Sequence, residues 1–232
     1  MLVRGKKSFS HPAMLEVRKM IETVLLWPSL DGDPVSKSQH GCIDCLALMI
    51  CAELQAGESF KDSTLGKISI IGKNCGTGNS VLGYVIEQII HDKNDIVLNS
   101  KLDSGSSAAP IPPSFCICMA NVLISACQKV SDSCWKSFAR KALPYLNRYV
   151  EVTMNLENRI ACIQVLYSAV YHLRSAVLPY ASDLLNISLK ALRQESEKER
   201  MAGAKLMASL MAIEDAILEH ISEELLEVRS VL

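Results

Sequence analysis

The chain has 232 residues, 49 % hydrophobic and 21 % charged, a balance that excludes a disordered or fibrous polymer and is long enough to bury a core without disulfides or a metal. Twenty-four basic and 25 acidic residues leave a formal net charge of -1, which removes a global electrostatic case for nucleic acid or an anionic membrane. Aromatic residues are only 5 % against plentiful Leu, Ile, Val, Ala and Met, the composition of stacked helices rather than of sandwiches or barrels.

Helical spacing begins with Met14, Val17, Ile21 and Val24, and the turn-rich run from Pro28 to Pro34 stops it. Ser38 is placed to cap a second helix with the stripe Ile43, Ala47, Ile50 and Leu54, ending near Gly57. Between Ser59 and Asn74 the run Leu65, Ile68, Ile70 and Ile71 fits a short helix or a strand, and the absence of a partner strand favours helix. Asn79 is placed to cap the next stripe, Leu82, Val85, Ile86 and Ile89. Residues 92–113 are rich in Ser and Pro and read as a flexible linker, dividing less regular helices at 1–91 from regular repeats at 114–232. Pro113 suits the first turn of a helix carrying Phe115, Met119, Leu123, Ala126 and Val130, after which Ser131 or Ser133 is placed to cap another.

The carboxy-terminal half repeats itself. Ala142-Leu143-Pro144-Tyr145 returns 35 residues later as Val177-Leu178-Pro179-Tyr180, each set early in an apolar stripe: Phe138, Ala142, Leu146, Tyr149 in one and Leu178, Ala181, Leu185, Leu189, Leu192 in the other. A proline near a helix start is tolerated because its missing N–H has no partner there. Second helices also align: Asn158-Arg159-Ile160-Ala161 matches Glu199-Arg200-Met201-Ala202 at an offset of 41. A third first-type helix is expected from Ile217, carrying Ile221, Leu225, Val228 and Leu232 to an apolar C-terminal edge suited to docking another chain.

Motifs for chemistry are weak. Gly72-Lys73-Asn74-Cys75-Gly76-Thr77-Gly78 precedes a helix start, but its lysine is misplaced for a phosphate-binding loop, so it reads as a turn. Cys42, Cys45, Cys51 and nearby His40 are zinc-ligand types, yet Cys42 and Cys45 are one helical turn apart with no second pair at matching spacing. The nine cysteines sit mostly inside apolar patterns, read as buried free thiols in a reducing compartment, cytoplasmic or nuclear. No secretory leader or membrane span is expected, since no apolar h-region follows Lys7 and polar residues interrupt every apolar stretch. The five histidines are scattered, no nucleophile elbow or paired-carboxylate motif is present, and neither an enzyme nor a cofactor is expected. Lys136, Arg140, Lys141 and Arg148 give 133–150 a charge of +4, while five basic and nine acidic residues give 193–232 a charge of -4. These are solvated helix faces unless they line a binding surface.

Helix pairs recurring every 35 to 41 residues are the pattern of an α-solenoid. Leu143-Pro144 with Glu157, Arg159 and Ala161, and Leu178-Pro179 with Glu197, Arg200 and Ala202, resemble the HEAT and armadillo (ARM) repeat superfamily. The whole chain is similar to armadillo-type proteins of higher plants. The resemblance implies an all-α, right-handed α-solenoid of stacked antiparallel helix pairs, acting as a non-catalytic scaffold or adaptor for a protein partner. It also implies that helices 157–173 and 197–212 line the concave side, making Arg159, Gln164, Tyr167, His172, Arg200 and Lys205 the expected partner contacts. Two alternatives stand beside it. One is a small metal or redox protein using Cys42, Cys45 and Cys51; the other is an importin-like carrier, for which a ladder of Trp and Asn is needed, whereas Trp27 and Trp135 do not repeat.

Overall fold

The computed structural model describes residues 12–27, 35–59, 80–90 and 113–213, and among these every regular element is helical. Among the described residues, eight α-helices occur in chain order: α1 (Pro12–Leu25), α2 (Lys37–Ser59), α3 (Val81–Ile90), α4 (Pro113–Lys129), α5 (Trp135–Val152), α6 (Leu156–Leu173), α7 (Ala181–Leu192) and α8 (from 197 to the last described residue, 213). Short 3-10 segments, Asp132–Cys134 and Arg174–Tyr180, precede α5 and α7. The expected helix or strand at 59–74, the linker at 92–113 and the helix from Ile217 fall largely or wholly outside the described residues.

Local chemistry explains several boundaries and corrects others. Ser36, rather than Ser38, caps α2: its Oγ accepts from the Gln39 N–H at 3.4 Å, while Gln39 Oε1 accepts from the Ser36 N–H at 2.7 Å. This reciprocal pair is a capping box. Gln39 is almost fully buried, and its Nε2 donates to the carbonyls of Leu25 and Trp27, both at 3.1 Å, tying the open end of α1 to the start of α2. α2 continues past Gly57 to Ser59. Ser80 Oγ accepts from the Gly83 N–H at 2.9 Å, and Glu53 of α2 accepts from the Val81 N–H at 2.9 Å, so α3 is capped by its own chain and by a neighbouring helix. Burial pushes the Glu53 carboxyl above its ordinary pKa. Pro113 opens α4 as its position predicts, but neither Ser131 nor Ser133 caps α5 with its hydroxyl. The 3-10 turn replaces them, pinned by Trp135 Nε1 donating to the Val130 carbonyl at 3.2 Å.

The helices pack in two rows. α2 lies against α4, α4 against α6, and α6 is joined to α8 by an ion pair described below; in the second row α3 lies against α5 and α5 against α7. The rows contact each other through α3 on α4 and α5 on α6, and one buried apolar cluster runs from Ile21 to Leu206. Phe138, Leu143, Leu146, Ile163, Leu166 and Leu173 are among its fully buried members.

Both halves of the Leu-Pro repeat depart from expectation. Pro144 lies in the middle of α5, not near its start; it is on the solvent face, where the Arg140 carbonyl it leaves without an intrahelical donor is open to water. Of the second stripe, Leu178 lies in the 3-10 segment before α7, and Leu178, Leu185, Leu189 and Leu192 are all outward, 36 to 42 % exposed, whereas Leu184, Ile187, Ser188 and Ala191 of α7 face the core. Leucines occur on two adjacent faces of this helix, so periodicity alone does not fix its rotation. The rotation follows from neighbours: Lys190 reaches Glu151 of α5 at 3.0 Å, and Ala191 abuts Gly203 of α8.

One stretch, Leu156–Leu192, has the length and hydropathy of a membrane span, which the interrupted apolar runs did not suggest. It is broken at Arg174, and 67 % of its apolar window is buried against other helices, the character of core helices.

Candidate functional site

An open groove is floored by α6 and flanked by α4 and α8. It has two adjoining lobes of about 1030 and 1230 Å³ that share Gln128, Tyr167, Tyr171, His172 and Lys205. The α6 residues that face it, from Glu157 through Gln164 and Tyr167 to Tyr171 and His172, recur at helical spacing on one side. The opposite side carries the buried Ile163, Leu166, Val170 and Leu173.

Tyr167 and Tyr171, one turn apart, have ring centroids 6.2 Å apart, and Tyr171 meets His172 edge-on at 4.9 Å. Tyr171 nevertheless remains 61 % exposed. Partial burial lowers the pKa of His172, which keeps the imidazole neutral at neutral pH. Gln164 and Lys205 project from exposed positions on α6 and α8 and make no hydrogen bond or ion pair among the described residues. The groove therefore offers aromatic faces, an amide, a neutral imidazole and an ammonium.

The six expected contacts divide. Gln164, Tyr167, His172 and Lys205 line the groove together; Arg159 and Arg200 line neither lobe. Arg159 Nε and Nη2 hold Glu199 Oε1 and Oε2 at 2.6 and 3.0 Å, and Nη1 donates to the Thr153 carbonyl at 3.1 Å. Glu199 is almost fully buried, so this bidentate pair is an internal clamp between α6 and α8. Arg200 instead donates from Nη1 to the carbonyls of Gln194 and Glu195, at 3.1 and 2.6 Å, closing the turn after α7. Sequence alignment of the two arginines gave no signal that both act within the chain. Reasoning from the sequence also missed Tyr171, Arg174 and Trp135, although Tyr171 follows Tyr167 at the i+4 spacing that places both on one helix face.

The basic residues Lys136, Arg140, Lys141 and Arg148 are exposed along α5, in the second row, and line neither lobe. Lys136 and Arg140 border a separate, smaller cleft of about 440 Å³ with Ser175 and Pro179. The apolar C-terminal edge lies outside the described residues.

Among the described residues, no group of three His, Cys, Asp or Glu side chains converges as a metal site. Burial pushes the thiols of Cys118 and Cys127 up to about 11 and about 12, and raises Cys42, Cys51 and Cys162, so these sulfurs stay protonated at neutral pH and lack thiolate nucleophilicity. All eight described cysteines are free. No family model, curated protein or solved structure matches the chain.

Proposed function

We propose that the chain is a HEAT/ARM-like α-solenoid that works as a non-catalytic scaffold or adaptor, with a protein partner lying in the groove along α6. The observation that carries this reading is the groove itself, with Gln164, Tyr171 and Lys205 exposed beside Tyr167 and His172 on one continuous face. Two rows of helices, one supplying the groove and the other the outer wall, support the solenoid reading because each pair buries its apolar side against the next. Burial raises the thiol pKa values of Cys42 and Cys51, which weighs against the metal and redox alternative built on them.

Site-directed photocross-linking in cells tests the proposal. A photoreactive residue at Gln164 or Met201, both on the groove, is expected to trap a protein adduct of one defined mass. The same residue at Arg140, on the outer row, is expected to trap none. Adducts of equal yield from Arg140, or a complete absence from both groove positions, would remove the groove from the function.

A further inference from the structure

Arg174 is the one non-glycine residue with positive φ among the described residues, at φ 45° and ψ -120° where α6 ends. A side chain there crowds its own backbone, and such conformations cost stability unless surrounding structure imposes them. Glycine is the residue that adopts this geometry without a Cβ penalty. The strained position puts Arg174 in the larger groove lobe, with Trp135, Tyr171, His172 and Lys205. Neither Arg174 nor Lys205 forms a hydrogen bond or ion pair among the described residues, and Asp132 is the lone acid lining that lobe. By contrast Arg159, Lys129, Lys190 and Arg200 all have partners within the chain.

A cation near a helix C-terminus is also favoured by the helix dipole, which would explain charge at this end of α6. The dipole does not explain the strain, because an unstrained neighbour in the last turn serves it equally. Glu157 and Glu197, in the first turns of α6 and α8 at the other end of the groove, are accounted for by the dipole alone.

We propose that this end of the groove binds an acidic peptide segment: Arg174 and Lys205 take its carboxylates while Trp135 and Tyr171 pack against its apolar side chains. The inference rests on the groove being the partner site. From Glu157 to His172 the floor is about 22 Å long at the rise of an α-helix. An extended peptide of about seven residues spans it.

The test uses the full chain with Trp27→Phe, so that Trp135 is the remaining indole and reports on the groove by its emission. The probes are two synthetic peptides of about seven residues, one alternating Glu and Leu, the other Lys and Leu. The Glu peptide is expected to shift Trp135 emission saturably, the Lys peptide to do so at least tenfold more weakly. Arg174→Gln, which keeps the backbone geometry and removes the charge, is expected to weaken the Glu peptide about tenfold without moving the melting temperature. Arg174→Gly is expected to weaken it equally and raise the melting temperature by about 2 °C, since the strain is relieved. Equal binding of both peptides, or no effect of Arg174→Gln, overturns the acidic preference and leaves the groove standing. A lower melting temperature for Arg174→Gly shows that the side chain supports the fold, and overturns the functional reading of the strain. No emission change with either peptide counts against the acidic segment and against the groove together.

Discussion

The helix pairs α5–α6 and α7–α8 share one sequence skeleton, and they diverge in the first helix while agreeing in the second. In the first helices the same Leu-Pro pair has opposite fates. Leu143 is fully buried in mid-helix, with Pro144 beside it on the solvent side, whereas Leu178 is 41 % exposed and Pro179 lies in the 3-10 segment before α7. The second helices agree down to their caps. Asn155 Oδ1 accepts from the Asn158 N–H at 3.2 Å, and 41 residues on Ser196 Oγ accepts from the Glu199 N–H at 3.4 Å. A cap is satisfied within four residues of chain, so it repeats wherever its sequence does. A proline's place within a helix depends on where the preceding turn ends, which the motif does not contain.

The deepest link between the two copies is Arg159 on Glu199, and removing it should produce the largest change. Arg159→Ala leaves the Glu199 carboxylate buried without its countercharge, and about 3 kcal/mol of stability is expected to be lost in urea unfolding. Arg159→Met combined with Glu199→Leu is expected to recover most of that loss, because two apolar side chains of similar size remove both desolvation costs. A loss below about 1 kcal/mol for the single change would mean that the two copies are held together by apolar packing alone. These variants also show why opposite-charge changes at Arg159 cannot report on partner binding: they would unfold the site that they probe.

Among the positions at which the two second helices differ, Cys162 in the first copy becomes Gly203 in the second. A Cβ at Gly203 would stand 2.7 Å from Ala191 Cβ and 3.1 Å from the Ser188 carbonyl oxygen. α7 and α8 therefore approach closely enough at this point to exclude any side chain. Gly203→Ala is expected to cost about 1–2 kcal/mol even after alanine's better helix propensity is counted. Cys162→Ala, which only removes a buried sulfur, is expected to cost no more than about 1 kcal/mol. Equal losses in thermal unfolding would mean that α7 rides outward to admit the methyl group.

How far the sequence reveals this molecule follows the range of the interactions involved. The all-helical class, the extent of α6 and the start of α8 were legible because apolar spacing and capping are local. The rotation of α7 was not, because leucines lie on both candidate faces and only contacts with Glu151 and Gly203, 39 and 12 residues away from their partners, decide between them. At the candidate site, Gln164, Tyr167, His172 and Lys205, which the resemblance to HEAT and ARM repeats implied as contacts, line the groove. Arg159 was misread, because its partner Glu199 is 40 residues distant and a buried carboxylate has no local signature. Arg174 was invisible for another reason: nothing in its neighbours in sequence announces a positive φ.

Pro144 gives a way to sharpen the contrast between the first helices. Its ring removes one main-chain donor from the interior of α5, a defect that alanine repairs. Part of the gain is offset because proline also restricts the unfolded chain. Pro144→Ala is expected to stabilise the protein by about 1 kcal/mol, while Pro179→Ala, in a segment that is not α-helical, changes stability by less than about 0.5 kcal/mol. If the two substitutions gave the same change, the different placement of the two prolines would have no energetic content.

Arg200 is the matched counterpart of Arg159 and should matter least. Both guanidinium groups turn back on carbonyl oxygens that precede their helix, Thr153 in one copy and Gln194 with Glu195 in the other. What separates them is the carboxylate: Arg159 also neutralises a buried charge, whereas Arg200 is exposed and bonded only to carbonyls that water can serve instead. Arg200→Ala is accordingly expected to cost no more than about 0.5 to 1 kcal/mol. Its loss should also be independent of salt, since no ion pair is broken. A loss approaching that of Arg159→Ala would show that the turn after α7, and not the buried pair, fixes how the two copies stack.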